Sequence, residues 1–272
     1  MIVAMPNADS ESLALKMAGL QRWLDDCTRS STTFVHYVDH AFAAVTVDPT
    51  SRSRAASFNK NAIRLCGGRG LSVSELNWMA RLFSAADVER FFVWLSPGPG
   101  SDVIREWLVD NRAVQIPWTR YPTMVHTGRT GTHASTTLQV REVTRDDIEA
   151  AAVAPGHEAV MDGYLQSIGR PGFHHFAAFE NSQLVATAAL VQFEQLAYLT
   201  YACTAERFRR RGAQTALIAA RIGAAQRLGC ALIVSETLTM LKDSFANLTR
   251  AEFQVAYEKE VYECVPPGVS RS

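Results

Sequence analysis

Apolar positions along this chain recur with two periods, and the alternation between them sets out the elements. Leu13, Met17, Leu20 and Trp23 fall at helical spacing and predict a helix from Ser10 to Asp25. Thr33 to Val47 and Ser57 to Leu65 read as strands, and Arg90 to Leu95 as a buried one. Between them Ser72, with Glu75 three residues on, caps a helix carrying Leu76, Met79, Leu82 and Phe83. A short helix from Asp102 to Asn111 and an extended run from Val114 to Val125 follow.

The stretch His126 to Thr136 is rich in Gly, Thr and Ser and poor in large apolar residues, the composition of a linker. It divides the chain into an N-terminal α/β domain (1–125), a linker (126–136) and a C-terminal domain (137–272). Beyond it, Leu138 to Val143 predicts a strand, Thr144 with Asp146 and Asp147 opens a helix, and Glu158 to Ile168 is a second helix after the Pro155-Gly156 breaker. Phe173 to Phe179 and Leu184 to Phe193 form strands turned at Asn181-Ser182, and Leu196 to Thr204 is the next. A long helix from Gly212 to Leu228 stops at Gly229, followed by a buried strand at Ala231 to Ser235, a helix at Leu241 to Ala251, and strands at Phe253 to Tyr257 and Val261 to Cys264. Hairpin strands followed by a β-α-β unit predict an α+β fold: a mixed α/β sheet with helices on both faces.

Composition narrows the chemistry. Hydrophobic residues at 47% supply a buried core, which excludes disorder as the organising state. A net charge of zero provides no global field for nucleic acid or an anionic membrane, so any basic site is local. The five cysteines are scattered without a C-x-x-C pair, which points away from zinc and disulfides and toward a reducing cytoplasm. No basic-then-apolar leader opens the sequence, and no apolar run reaches the length of a membrane span. His174 and His175 are adjacent and would face opposite sides of a strand, so they make no metal site by themselves. Cys203 lacks a His-Asp partner and reads as structural, and Gly67-Gly68-Arg69-Gly70 reads as a turn. The tryptophans, Trp23, Trp78, Trp94, Trp107 and Trp118, all fall in the N-terminal half and read as core.

The stretch Tyr201 to Leu217, YACTAERFRRRGAQTAL, concentrates the chemistry. A strand ends, a basic loop follows, and Gly212 stands at the mouth of the long helix. The first N–H groups of a helix lack internal partners, and the helix dipole adds partial positive charge beside Arg209, Arg210 and Arg211. That is an anion cradle of the kind that takes phosphate. Neither G-x-x-x-x-G-K-[ST] nor G-x-G-x-x-G is present, which argues against a P-loop or dinucleotide fold.

Arg209-Arg210-Arg211-Gly212-Ala213-Gln214 resembles the acyl-CoA signature of the GNAT N-acetyltransferase family, Arg/Gln-x-x-Gly-x-Gly/Ala, departing at Gln214. Arg221 to Glu236 resembles the family's helix, Gly-Cys turn and apolar strand, and Ser244 to Phe253 its N-L-x-R-x-G-F segment, with Glu252 for Gly. The resemblance covers roughly Thr137 to Tyr262 and implies a GNAT-type acyl-CoA N-acyltransferase fold with acetyl-CoA as co-substrate and no metal. It implies a splayed pair of strands, with backbone groups at Ala202, Cys203 and Thr204 along the pantetheine arm and N–H groups from Arg209 to Thr215, Ala213 and Gln214 included, on the pyrophosphate. The resemblance also implies Asn247 as a further CoA contact, the alternative being a bond to its own helix backbone, and implies direct attack on the thioester by a primary amine of a small molecule or peptide. The position where many members carry an acidic Tyr is Leu248, so Tyr257 or Ser244 stands in as acid. Glu236, Glu194 or a water relay stands in as base.

The order of strands and helices from Thr33 to Val125 resembles the second half of a GNAT domain without its Arg-rich cradle. The expectation is a tandem protein whose degenerate N-terminal copy shapes the acceptor cleft or forms a homodimer surface. Two other functions stay open from sequence: a non-catalytic acyl-CoA-binding sensor or scaffold, and nucleic-acid binding through the RFRRR loop, against which neutral overall charge argues.

Overall fold

A computed structural model describes residues 7–28, 31–38, 43–66, 71–116, 120–127, 136–149, 152–153 and 161–269. Gly67 to Gly70, Trp118, Pro155-Gly156 and nearly all of the expected linker lie outside the described residues. In chain order the elements are α1 (Asn7–Thr28), β1 (Phe34–Tyr37), β2 (Ala43–Val47), α2 (Arg54–Lys60), β3 (Ala62–Cys66), α3 (Val73–Ala85), β4 (Phe91–Ser96), α4 (Ser101–Asp110), β5 (Val114–Gln115) and β6 (Tyr121–His126). There follow β7 (Gln139–Glu142), α5 (Arg145–Glu149), β8 (Ala152–Val153), α6 (Met161–Ser167), β9 (Phe173–Glu180), β10 (Gln183–Phe193), β11 (Leu196–Thr204), α7 (Ala213–Arg227), β12 (Leu232–Glu236), α8 (Lys242–Arg250) and β13 (Phe253–Cys264).

Three expectations are corrected. The first part of Ser57 to Leu65 is helical, because Ser57 N bonds Ser53 O at 2.9 Å and the strand begins only at Ala62. Thr33 to Val47 is two antiparallel strands, Phe34 facing Val47. Phe253 to Cys264 is one continuous strand, held through Glu260 to Cys264 by antiparallel pairing with Leu95 to Phe91.

The chain forms two compact units that are not consecutive in sequence. Unit 1 comprises residues 1–3, 123–237 and 241–255; unit 2 comprises 4–122, 238–240 and 256–272. A single cut at the expected linker misses this interleaving. Residues 123–125 of β6 pair with β12 in unit 1, and residues 260–264 of β13 pair with β4 in unit 2.

The sheet of unit 1 runs β6-β12-β11-β10-β9-β7, with β8 beside β10. β9/β10 and β10/β11 are antiparallel, β11/β12 is parallel and β12/β6 antiparallel. The turn between β9 and β10 has left-handed backbone at Asn181 (φ 48°) and Ser182 (φ 67°), the geometry whose twist matches a two-residue hairpin. One face packs against α7, where Leu217, Ile218 and Ile222 meet Ala188, Leu190, Leu199 and Ile233. Complete burial of a side chain such as Leu217 stabilises by roughly 2 kcal/mol. The other face packs Val143, Ile148, Tyr164 and Ile168 on Ala177, Phe179, Leu184 and Ala189.

In unit 2 the sheet runs β1-β2-β3-β4-β13, with β5 beside β13. β1/β2 and β2/β3 are antiparallel, β3/β4 parallel and β4/β13 antiparallel. This repeats the sense of β9-β10-β11-β12-β6 strand for strand, with α3 standing where α7 stands. Leu76, Met79 and Phe83 of α3 and Ile104, Trp107 and Leu108 of α4 cover one face; Phe92, Trp94, Ile116 and Val261 lie on the other. Among the described residues, no helix is long and apolar enough to cross a membrane.

Candidate functional site

The site in unit 1 begins where β11 and β12 part. Their parallel pairing covers Leu196 to Leu199 against Leu232 to Ser235 and stops there, while β11 continues to Thr204. Ser235 Oγ donates to Leu199 O at 3.0 Å, closing the last rung with a side chain. On its other edge β11 is bulged. Thr200 faces Ala189 and Cys203 faces Thr187, so Tyr201 and Ala202 together oppose Ala188. Tyr201 carries a positive φ of 51°, the left-handed backbone of a G1-type bulge. Bulge and divergence together give Thr200 to Thr204 a path of its own, the splay expected from the family pattern.

After Thr204 the chain makes a 3₁₀ turn (Glu206–Phe208) whose buried Phe208 anchors the loop. Arg210 (φ 61°) and Gly212 (φ 80°) are left-handed, curling the loop into the head of α7. Gly212 is the N-cap and supplies no side-chain acceptor. Among the described residues, the main-chain N–H groups of Arg210, Arg211, Gly212, Ala213, Gln214 and Thr215 meet no hydrogen-bond acceptor. Arg209 differs, because its N–H is taken by Glu206 O at 3.1 Å. A row of donors at a helix head, reinforced by the dipole, suits a diphosphate.

The arginines divide. Arg211 pairs with the Glu180 carboxylate, its Nη1 standing 3.2 Å from Oε2, and lies over the Phe208 ring at 5.4 Å. Arg207 donates to Gln183 Oε1 at 2.7 Å. Arg209 and Arg210 are exposed and have no ion-pair partner among the described residues. Burial pushes the Cys203 thiol up, and Arg209 only partly offsets it, so the thiol stays protonated at neutral pH and Cys203 reads as structural. Gln214, the departure from the signature, donates from Nε2 to Cys203 O at 3.0 Å and to Thr204 Oγ1 at 2.9 Å.

In unit 2 the matching helix head is finished differently. Ser72 accepts from Glu75 N at 3.3 Å, and Glu75 accepts from Ser72 N at 2.7 Å. This capping box takes the N–H groups of Ser72 and Glu75 and puts a carboxylate at the helix head, so among the described residues unit 2 has no equivalent cradle.

Glu236 ends β12. Thr123 Oγ1 donates to its Oε1 at 2.7 Å and the Tyr198 hydroxyl to its Oε2 at 3.4 Å. Sequence reasoning missed Thr123, which comes from β6, and Tyr198. Glu194 sits in the exposed turn before Leu196, the opposite end of β11 from Thr204, and is not brought to the cradle. Tyr257 is buried on the part of β13 that belongs to unit 2, whereas Glu236 belongs to unit 1. Leu248 is buried in the unit 1 core, and Ser244 Oγ accepts from Thr237 Oγ1 at 3.0 Å. Asn247 Oδ1 accepts from Arg250 Nη2 at 2.9 Å. Sequence reasoning also missed Arg221, a buried cation in α7 that bonds the carbonyls beside the bulge. Among the described residues, no group of three or more His, Cys, Asp or Glu side chains could hold a metal ion.

Residues 140–241 match the model of the Acetyltransferase (GNAT) family. No curated protein matches the sequence. Among solved structures, a GCN5-related N-acetyltransferase from Kribbella flavida is 15% identical with a TM-score of 0.61, covering 95% of this chain and 96% of that one. A tandem GNAT protein from the clavulanic acid biosynthesis pathway is 10% identical with a TM-score of 0.57, over 100% of this chain and 98% of that one. A GCN5-related N-acetyltransferase from Sphaerobacter thermophilus is 12% identical with a TM-score of 0.55, over 100% and 97%. At these identities the structures share a fold and nothing finer. The chain therefore has the tandem GNAT-type fold, and its residues 140–241 are a domain of the acetyltransferase (GNAT) family.

Proposed function

We propose that unit 1 transfers an acetyl group from acetyl-CoA to a primary amine of a small molecule or peptide. One observation carries the reading: a run of main-chain donors from Arg210 to Thr215 at an uncapped helix head, beside a strand that leaves its neighbour at Leu199. The residues fit the co-substrate. The donors and the side chains of Arg209 and Arg210 would hold its phosphates, and the open edge at Ala202 to Thr204 would take its arm. Acetyl-CoA supplies the activated acyl group. The chain's own part is to position the amine, take its proton and shield the site. Glu236 is the base in this reading: with Thr123 and Tyr198 on its oxygens, its carboxylate is held to attract an ammonium group and accept a proton. Scattered cysteines support a cytoplasmic setting.

Isothermal titration with acetyl-CoA is the test. Saturable binding by the wild-type protein, weakened in Gly212→Asp, supports the reading; absence of both heat and thermal shift at high ligand overturns it. A second reading, a non-catalytic acyl-CoA sensor or scaffold, is favoured by one fact: the position where many family members place a tyrosine acid is the buried Leu248. Acetyl-CoA binding without thiol release across a broad amine panel would select it.

A further inference from the structure

Among the described residues Arg221 is the largest fully buried side chain, and no carboxylate pairs with it. Its Nε and Nη1 donate to main-chain carbonyls. Nε donates to Leu217 O at 3.0 Å within α7, and Nη1 donates to Ala189 O at 3.2 Å and Thr200 O at 3.3 Å. Ala189 and Thr200 face each other across β10 and β11 at the last rung before the bulge. One nitrogen thus ties both strands at the point where β11 changes register.

A cation in an apolar core without a counter-ion is costly, and Leu or Met would fill the same space. Burial pushes the guanidinium down to about 9, with the nearby Tyr164 opposing the shift, so the group is still charged at neutral pH. Its hydrogen bonds are charge-assisted and lie in a low-dielectric interior, where they are stronger than a neutral rung. An inserted residue otherwise loosens a ladder. Here the loosening is countered at Thr200, the first residue of β11 beyond the stretch that β12 flanks.

We propose that Arg221 is a positioning residue for acyl-CoA binding: by clamping the carbonyls of Ala189 and Thr200 it fixes the path of Tyr201 to Thr204, along which the thioester arm lies. This rests on the acyl-CoA reading above. Arg221 acts through the strand and leaves the helix head untouched, so its loss affects the arm and not the phosphates.

The test compares acetyl-CoA with adenosine 3′,5′-bisphosphate, which lacks the arm, by titration calorimetry on wild-type, Arg221→Lys and Arg221→Met proteins. Hydrogen exchange is followed at the amides of 200–204. Loss of the charge-assisted clamp is expected to weaken acetyl-CoA binding about tenfold while bisphosphate affinity stays within about twofold. Exchange at 200–204 is expected to accelerate while that of the α7 amides stays slow. If Arg221→Met does not fold, Arg221→Lys, which keeps charge but loses the fork, decides alone. Equal weakening of both ligands, or unchanged acetyl-CoA affinity with unchanged exchange, overturns the proposal. If the wild-type protein binds neither ligand, the acyl-CoA reading fails instead, and accelerated exchange at 200–204 in Arg221→Lys would still identify the clamp.

Discussion

Gln214 donates its side-chain amide to the main-chain carbonyl of Cys203 at 3.0 Å, fastening the first turn of α7 to the end of β11. Its second donor contact, to Thr204 Oγ1, lies one residue further along the same strand. A neutral hydrogen bond contributes about 1 kcal/mol, so Gln214→Ala should lower unfolding stability by roughly 1–2 kcal/mol. Urea titration of the two proteins checks this, and coincident midpoints would show that the fastening carries no weight.

The division among the arginines gives a ranking. Arg211 is engaged with Glu180, whereas Arg209 and Arg210 have no ion-pair partner among the described residues. Arg209→Ala and Arg210→Ala should each weaken acetyl-CoA binding about five- to tenfold at low salt, and Arg211→Ala by less. Gly212→Ala places a Cβ on backbone at φ 80° and should cost about 1 kcal/mol of stability besides any loss of affinity. Calorimetry at two salt concentrations separates these effects; a dominant loss in Arg211→Ala would reverse the assignment.

His175 gives unit 1 a defined acid sensitivity. The ring is buried, its Nε2 is 2.9 Å from Ser167 Oγ, and burial lowers its pKa to about 4. In the unfolded chain the ring protonates near 6.5, so between about 6.5 and about 4 the unfolded state binds more protons. Stability from this group is therefore complete above about 6.5 and is lost as pH falls toward about 4, up to about 3 kcal/mol in all. His175→Gln, which keeps a donor and cannot charge, should flatten the unfolding free energy across that interval. A wild-type curve of the same slope as the variant would contradict the burial argument.

Leu248, which the family resemblance puts at the position of a tyrosine acid, is only 4% exposed and packs in the core of unit 1. Leu248→Tyr should therefore not install an acid. It should overpack the core and destabilise by about 1–3 kcal/mol. Differential scanning fluorimetry with a turnover assay checks both parts, and a stable variant with raised turnover would refute them.

Legibility in the sequence followed locality. α7 was readable because Gly212 and Gly229 bracket an Ala-rich stripe, and the β9-β10 hairpin because Asn181-Ser182 accepts left-handed backbone. The cradle was readable because strand, basic loop and glycine are contiguous. The bulge at Tyr201 was hidden, since an inserted residue in a strand leaves no compositional trace. Arg221 was hidden because a lone arginine in a helix resembles a solvent-facing one until the opposing carbonyls are in place. Thr123 reached Glu236 only through pairing between residues more than one hundred apart, |i−j| = 113. Ser57 to Leu65 misled because Ser57 and Asn61 use their side chains on loop carbonyls, letting a helical turn precede the strand.

The pairing of Phe91 to Leu95 with Cys264 to Glu260 has a consequence for biosynthesis. A chain emerging from the ribosome cannot finish the sheet that contains Phe91 to Leu95 until Glu260 to Cys264 have been made. Vectorial, domain-by-domain maturation is therefore closed to this protein, and its slow, late step is the closure of that distant seam. Nascent chains ending at Val255 should remain protease-sensitive across residues 43–116, and release of the final segment should confer resistance there.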